Sequence, residues 1–241
     1  MNESFWDIYA AAYDKLNILN YYQEMLNFLA RSISDSGIPP ERLLDVACGT
    51  GALLQRLHEK LPQTKLVGVD RSQAMLKVAR RKLLSSDVVL DRQDLKDGLS
   101  YADQSYDAVT CINALYALPD PEKVLAEMYR VLVPGGELFL VNLWKPKQSW
   151  IFADHFFFLV RYGRLGDMCE TAMNLPIFAF ISAVNAVIAR RAKRQTLHIY
   201  SPHELRKRVE HAGFKISSVY DSVCAGTCCL VCAYRPHDPV F

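Results

Sequence analysis

The chain predicts an α/β fold, an open sheet of about seven strands wound with helices on both faces. Two observations carry this. Apolar runs of strand length alternate with helical patterns along most of its 241 residues. The stretch Leu43-Leu44-Asp45-Val46-Ala47-Cys48-Gly49-Thr50-Gly51 reads as a buried strand entering a tight small-residue turn and then a helix. Leu66-Val67-Gly68-Val69-Asp70 follows as a second strand with an acid at its tip. A hydrophobic content of 51% suffices for one substantial core, so residues 1–241 are read as one domain.

From the N-terminus, residues 4–34 predict two helices that form a cap over residues 1–36. Trp6, Tyr9, Ala10 and Tyr13 recur at helical spacing, and so do Tyr22, Met25, Leu26 and Leu29. Gly37-Ile38-Pro39-Pro40 is a connector. Strands are predicted at 42–46, 65–69, 88–90, 106–111 and 137–142. Ser72 is placed to cap the helix through Met75 and Val78, and Asp120-Pro121 to open the helix through Val124, Leu125, Met128 and Leu132. Pro134-Gly135-Gly136 ends that helix. The rhythm breaks at 144–200, an aromatic and aliphatic segment without strand alternation. It resumes at Ser201-Pro202-His203-Glu204, a capping box before a helix that stops at Gly213. Strands at 214–220 and 228–234 complete the chain.

The spacing of the first turn points to a ligand. Asp70 lies 21 positions beyond Gly49, close to the roughly 20 that separate a glycine turn from the acid that accepts from ribose hydroxyls. The third glycine of a dinucleotide fold is absent, since Gly49-Thr50-Gly51 is followed by Ala52-Leu53-Leu54. Asp45, at the end of the first strand, sets a carboxylate where a pyrophosphate would be repelled and an ammonium or sulfonium welcomed. S-adenosylmethionine carries both cations and no phosphate.

The motif Asp45-Val46-Ala47-Cys48-Gly49-Thr50-Gly51 resembles the first motif of the class I S-adenosylmethionine-dependent methyltransferases, a Rossmann-like family. That pattern has glycine where this chain has Ala47, and a small residue is kept. The resemblance continues through Asp70, Ser72-Gln73-Ala74-Met75-Leu76, Arg92-Gln93-Asp94-Leu95 and Tyr106-Asp107-Ala108-Val109. It closes with the run from Asn113 to Asp120 and with Val131-Leu132-Val133-Pro134-Gly135-Gly136. Together these span about residues 41–142, and Trp6-Asp7 with Tyr13-Asp14 extends the likeness to the N-terminal helix. The ubiquinone/menaquinone-biosynthesis-like branch is the most similar in shape.

The resemblance implies a mostly parallel sheet with an antiparallel last strand. It implies that Asp45 faces the methionine amino group and that Ala47, Gly49 and Gly51 let the backbone approach the cofactor. Asp70 would hold the ribose hydroxyls, Arg71 line the adenine side, and Met75 pack on the adenine face. Asp94 would accept from the adenine amino group, and the Leu95 N–H would meet a ring nitrogen. Asn113 would sit beside the methyl group, and Tyr13 would close over the cofactor. The product would be S-adenosylhomocysteine. In this family the segment after the fifth strand forms a substrate lid, here residues 144–200, which points to a small, lipophilic or aromatic acceptor. A non-methylating cyclisation on the same cofactor, or a non-catalytic cofactor-binding subunit, are the alternative readings.

No general base stands out. Tyr116, His155, His198 and Tyr200 are candidates by position near the expected acceptor. No metal is expected from Cys224, Cys228, Cys229 and Cys232: Cys228, Leu230 and Cys232 alternate with Cys229, Val231 and Ala233 as the two faces of a strand, and one strand cannot bring four ligands together. A net charge of +2 gives no reason to expect nucleic acid. Seven cysteines with no basic-then-apolar leader fit a reducing, cytoplasmic setting. The 14-residue apolar run 176–189 is short of the roughly 18–20 that span a bilayer. It is followed by Arg190, Arg191, Lys193 and Arg194, so residues 150–194 are read as a lid, a peripheral membrane contact or a homodimer surface.

Overall fold

The computed structural model describes residues 3–35, 38–145, 149–163, 165–193 and 197–237. Among them one seven-stranded sheet runs in the order β3-β2-β1-β4-β5-β7-β6. The strands are β1 (Arg42–Val46), β2 (Lys65–Asp70), β3 (Val89–Arg92), β4 (Tyr106–Ile112), β5 (Leu132–Leu143), β6 (Lys215–Val223) and β7 (Cys228–Tyr234). The first five pair in parallel, and β7 runs antiparallel to both neighbours. The expected strand number and the reversed last strand are both present.

Helices α1 (Glu3–Tyr13) and α2 (Asn20–Ser34) are joined by a 3-10 turn over Asp14–Ile18. Helices α3 (Ala52–Lys60), α4 (Gln73–Lys82) and α5 (Pro121–Val131) connect the parallel strands, and α9 (Pro202–His211) precedes β6. The segment after β5 is helical, as α6 (Ser149–Tyr162), α7 (Leu165–Met173) and α8 (Leu175–Lys193). Arg194 and Gly37 lie outside the described residues, as do the side chains of Trp150, Ile151, Phe152 and Lys193.

The helix starts follow from their caps. Ser72 accepts from the Met75 N–H and Asp120 from the Lys123 N–H, and Ser201 with Glu204 forms the reciprocal box. Strand bounds shift by one to three residues from expectation at β3 and β6, and most at β5, which begins at Leu132 and not at 137. The chain turns extended at Leu132, before Pro134, because Leu132 pairs with Tyr106 and the register then jumps to Ala108–Glu137. The residues between form a bulge, with Gly135 at φ +86°.

Each strand sends alternate residues to two cores. Leu43, Phe139, Val141 and Leu230 pack with α2, α3 and α8, whereas Leu44, Leu138, Leu140 and Val231 pack with α5 and α9. The thiols divide the same way, Cys224 and Cys228 on the first face and Cys229 on the second. Among the described residues no group of three or more His, Cys, Asp or Glu could hold a metal ion.

Gly51 caps α3 at φ +72°, and a Cβ there would lie 3.1 Å from the Ala79 Cβ and 3.2 Å from Leu83 Cδ1. Gly51→Ala therefore meets left-handed strain and a crowded α3–α4 contact, and is expected to cost about 1–3 kcal/mol. A chemical denaturation midpoint equal to the wild type would contradict this.

Candidate functional site

A cleft with about 950 Å³ of atom-free space, part of it open solvent, lies at the C-terminal ends of β1, β2 and β4. This is where strand order reverses in an open parallel sheet, so the loops from β1 and β4 part and leave a crevice. Both loops leave through left-handed residues, Ala47 at φ 57° and Asn113 at φ 50°. Gly49, at φ 54°, continues the first turn, and a Cβ placed on it would stand 3.7 Å from Tyr13 Cε1. The turn thus lies directly beneath the ring that α1 supplies.

Two carboxylates dominate the floor. Asp45 is 3% exposed and flanked in register by Gly68 and Thr110. The Thr110 hydroxyl donates to its Oδ1 at 2.6 Å. Burial pushes the Asp45 carboxyl up to about 7; the Thr110 bond opposes that rise and the nearby Asp70 charge adds to it. Asp70 accepts from the Gly49 N–H through Oδ2 at 2.9 Å and from the Ser72 N–H through Oδ1 at 2.8 Å. Burial raises its pKa as well, against those two bonds and the Arg71 charge. One buried and one partly buried acid, with Arg71 as the basic neighbour of the second, form a site that a cation would relieve and a phosphate would aggravate.

Asp70 also organises the surroundings. The Ser72 that it holds donates its hydroxyl to Asp7 Oδ1 at 2.6 Å, tying α1 to the cap of α4. Lys82 of α4 pairs with Asp14, just beyond α1. Tyr13 is thereby carried to the mouth of the cleft, where its hydroxyl lies 3.4 Å from that of Tyr22.

Ten of the eleven residues assigned to the cofactor line this cleft: Tyr13, Asp45, Ala47, Gly49, Asp70, Arg71, Met75, Asp94, Leu95 and Asn113. Gly51 does not; it faces Ala79 and Leu83 of the α4 region. Asp94 accepts from the Lys96 N–H at 3.1 Å. Asn113 accepts from the Cys228 thiol at 3.4 Å through Oδ1.

The four acceptor-side candidates stand elsewhere. Tyr116 is buried in the first core, its backbone held by Asn142 and His198, and burial raises its phenol far above the usual value. His155 is buried between α2 and α7: its Nδ1 accepts from the Asn20 N–H at 3.3 Å, so Nε2 carries the proton and faces Thr171 Oγ1 at 3.1 Å. His198 stacks on Tyr200, whose other partner is the Arg208 guanidinium, 4.2 Å from its ring centre. None of the four lines the cleft.

Part of the wall carries no signal of its own in the sequence. Trp6, Tyr22, Leu26, Leu53 and Ile112 line the cleft. The helical spacing of Tyr22 and Leu26 marks them as apolar-face residues, which a core and a pocket share equally.

Residues 43–136 match the model of a family described as a methyltransferase domain. A demethylmenaquinone methyltransferase of Thermus thermophilus is 36% identical over 145 residues, 58% of this chain and 64% of that protein. The match thus spans less than two thirds of that relative. The demethylmenaquinone methyltransferase of Lactobacillus johnsonii is 32% identical over 178 residues, 71% of this chain and 67% of the relative. The N-methyltransferase NodS of Bradyrhizobium japonicum, crystallised with S-adenosyl-L-homocysteine, shares the fold at a TM-score of 0.62 and 15% identity, covering 92% of this chain and 91% of NodS. The chain belongs to the class I S-adenosylmethionine-dependent methyltransferases, in the branch that holds the ubiquinone and menaquinone biosynthesis methyltransferases, and S-adenosylmethionine is the cofactor of that family.

Proposed function

We propose that this chain moves the methyl group of S-adenosylmethionine to a small, lipophilic, quinone-type acceptor. The observation that carries the reading is the buried Asp45 beside the partly buried Asp70, facing an apolar, aromatic wall. When bound, the cofactor supplies an activated methyl group on a positively charged sulfur. Asp45 would accept from the ammonium of its methionine part, and Asp70 from the ribose hydroxyls. Met75 would cover the adenine face beside Arg71. Asp94 and the Leu95 N–H would take the adenine edge, and Asn113 would stand by the methyl group. Ala47 and Gly49 let the backbone come close.

The acceptor would lie against Tyr22, Leu26, Leu53 and Ile112. These side chains exclude water and align the acceptor, which can lower a barrier by about 7–11 kcal/mol in favourable cases. The phenols are not bases. Burial raises Tyr13 and Tyr22 well beyond neutrality, so both stay protonated. They act as hydroxyl donors and aromatic walls, and the acceptor enters as its anion, having lost its proton to solvent before it binds.

Equimolar S-adenosylhomocysteine and methylated product should form when the protein is given the cofactor and a demethylated quinol. Turnover of the quinol without S-adenosylhomocysteine would favour a non-methylating reaction, and binding without turnover a cofactor-holding subunit. Asp70→Asn removes charge-assisted bonds worth about 1.5–3 kcal/mol, so cofactor affinity by calorimetry should fall roughly ten- to hundred-fold. An unchanged affinity would count against the role of Asp70.

The pH dependence follows from Asp45. Its carboxyl is raised to about 7 in the free protein, and an ammonium prefers the ionised form. Below that pH, binding must expel a proton, so affinity should weaken as pH falls, by up to about tenfold per unit. Asp45→Asn should flatten the profile. A wild-type affinity that does not vary between pH 5.5 and 8 would overturn this account.

A further inference from the structure

Helix α6 has two opposed faces. His155 and Leu159 are buried against the body, whereas Phe156, Phe157 and Val160 are 61%, 69% and 65% exposed. Tyr162 extends the outward face. On α8, Phe178, Ile181 and Val184 are buried while Phe180 and Val187 are exposed, and Met173 and Leu175 are exposed just before and at its start. The inward faces of both helices are already packed. Exposed apolar side chains in this number go beyond the single scattered residues that need no explanation.

Charge decides what covers them. Exposed Arg161 lies 5.4 Å from the ring centre of Tyr162, and exposed Arg190 and Arg191 stand at the C-terminal end of α8. The acids Asp167 and Glu170 are on α7, between the two apolar faces in sequence. Aromatic rings with arginines at their border fit the boundary between acyl chains and headgroups. Among the described residues no helix is long and apolar enough to cross a membrane, so these helices would lie on a surface.

We propose that α6 and α8 dock on an anionic lipid bilayer, with Phe156, Phe157 and Val160 in the interface and Arg161 and Arg190 among the headgroups. The inference rests on the proposed lipophilic acceptor for its purpose and not for its test. The same helices hold the cleft wall. Phe180 of α8 contacts Tyr9 with ring centres 6.2 Å apart, and Tyr9 contacts Tyr13 at 5.5 Å. His155 of α6 holds the Asn20 N–H at the start of α2, which carries Tyr22 and Leu26. Docking therefore sets the lipid surface beside the elements that bound the acceptor pocket.

The full chain is spun with sucrose-loaded vesicles of phosphatidylcholine, with and without phosphatidylglycerol. Wild type should pellet with the anionic vesicles at low salt, at least tenfold less with neutral ones, and less as salt rises. The combined variant Phe156→Ser, Phe157→Ser, Val160→Ser should lose at least tenfold in vesicle affinity while its calorimetric affinity for S-adenosylmethionine stays unchanged. Wild type that stays in the supernatant with anionic vesicles overturns the proposal. So does equal pelleting of the triple variant. A wild-type dimer by light scattering that the variant splits, without vesicle binding, also overturns it and makes this face a contact between copies. Pelleting without S-adenosylhomocysteine formation leaves the docking intact and removes the methyl-transfer reading. Turnover without pelleting does the reverse.

Discussion

The interaction on which the site depends is the double anchoring of the Asp70 carboxylate. One oxygen holds the Gly49 N–H of the first turn, and the other holds the Ser72 N–H that opens α4. A single side chain at the tip of β2 thereby fixes two loops. Through Ser72 and Asp7 it also fixes the helix that brings Tyr13 over the cleft. Asp45 lies on the neighbouring strand, buried and bonded to Thr110, and its pKa is raised first by that burial and then by the Asp70 charge. Such an arrangement is tolerable where a cation completes it.

The wall opposite the carboxylates is made from elements distant in sequence. Helices α1 and α2 supply Trp6, Tyr13, Tyr22 and Leu26, and the loop after β4 begins at the left-handed Asn113. Helices α6 and α8 brace α1 and α2 from outside. Two ring contacts, Phe180 to Tyr9 and Tyr9 to Tyr13, thus join α8 to the side chain over the cleft.

The floor was legible in the sequence because it is local. Strand, turn, helix, strand and acid follow within 28 residues, and each step carries its own residue signature. The alternation of Cys228, Cys229 and Cys232 identified a strand with two faces, as its split between the cores shows for Cys228 and Cys229. What escaped was long-range. His155 bonds to Asn20, 135 residues away, and nothing near either residue signals that link. Tyr116 has the position of a pocket residue but turns into the core, held by Asn142 from the adjacent strand. Gly51 stands inside the glycine turn, yet its space is taken by Ala79 and Leu83. In each case the partner that decides the role comes from another element, and periodicity carries no information about it.

In the proposed function the paired acids select a phosphate-free, cationic nucleoside. Calorimetric titration of one protein preparation with S-adenosylmethionine and with NADH separates this from dinucleotide binding. Saturable one-to-one binding of the first and no heat of binding from the second are expected. Uptake of NADH, with indifference to S-adenosylmethionine, would contradict it.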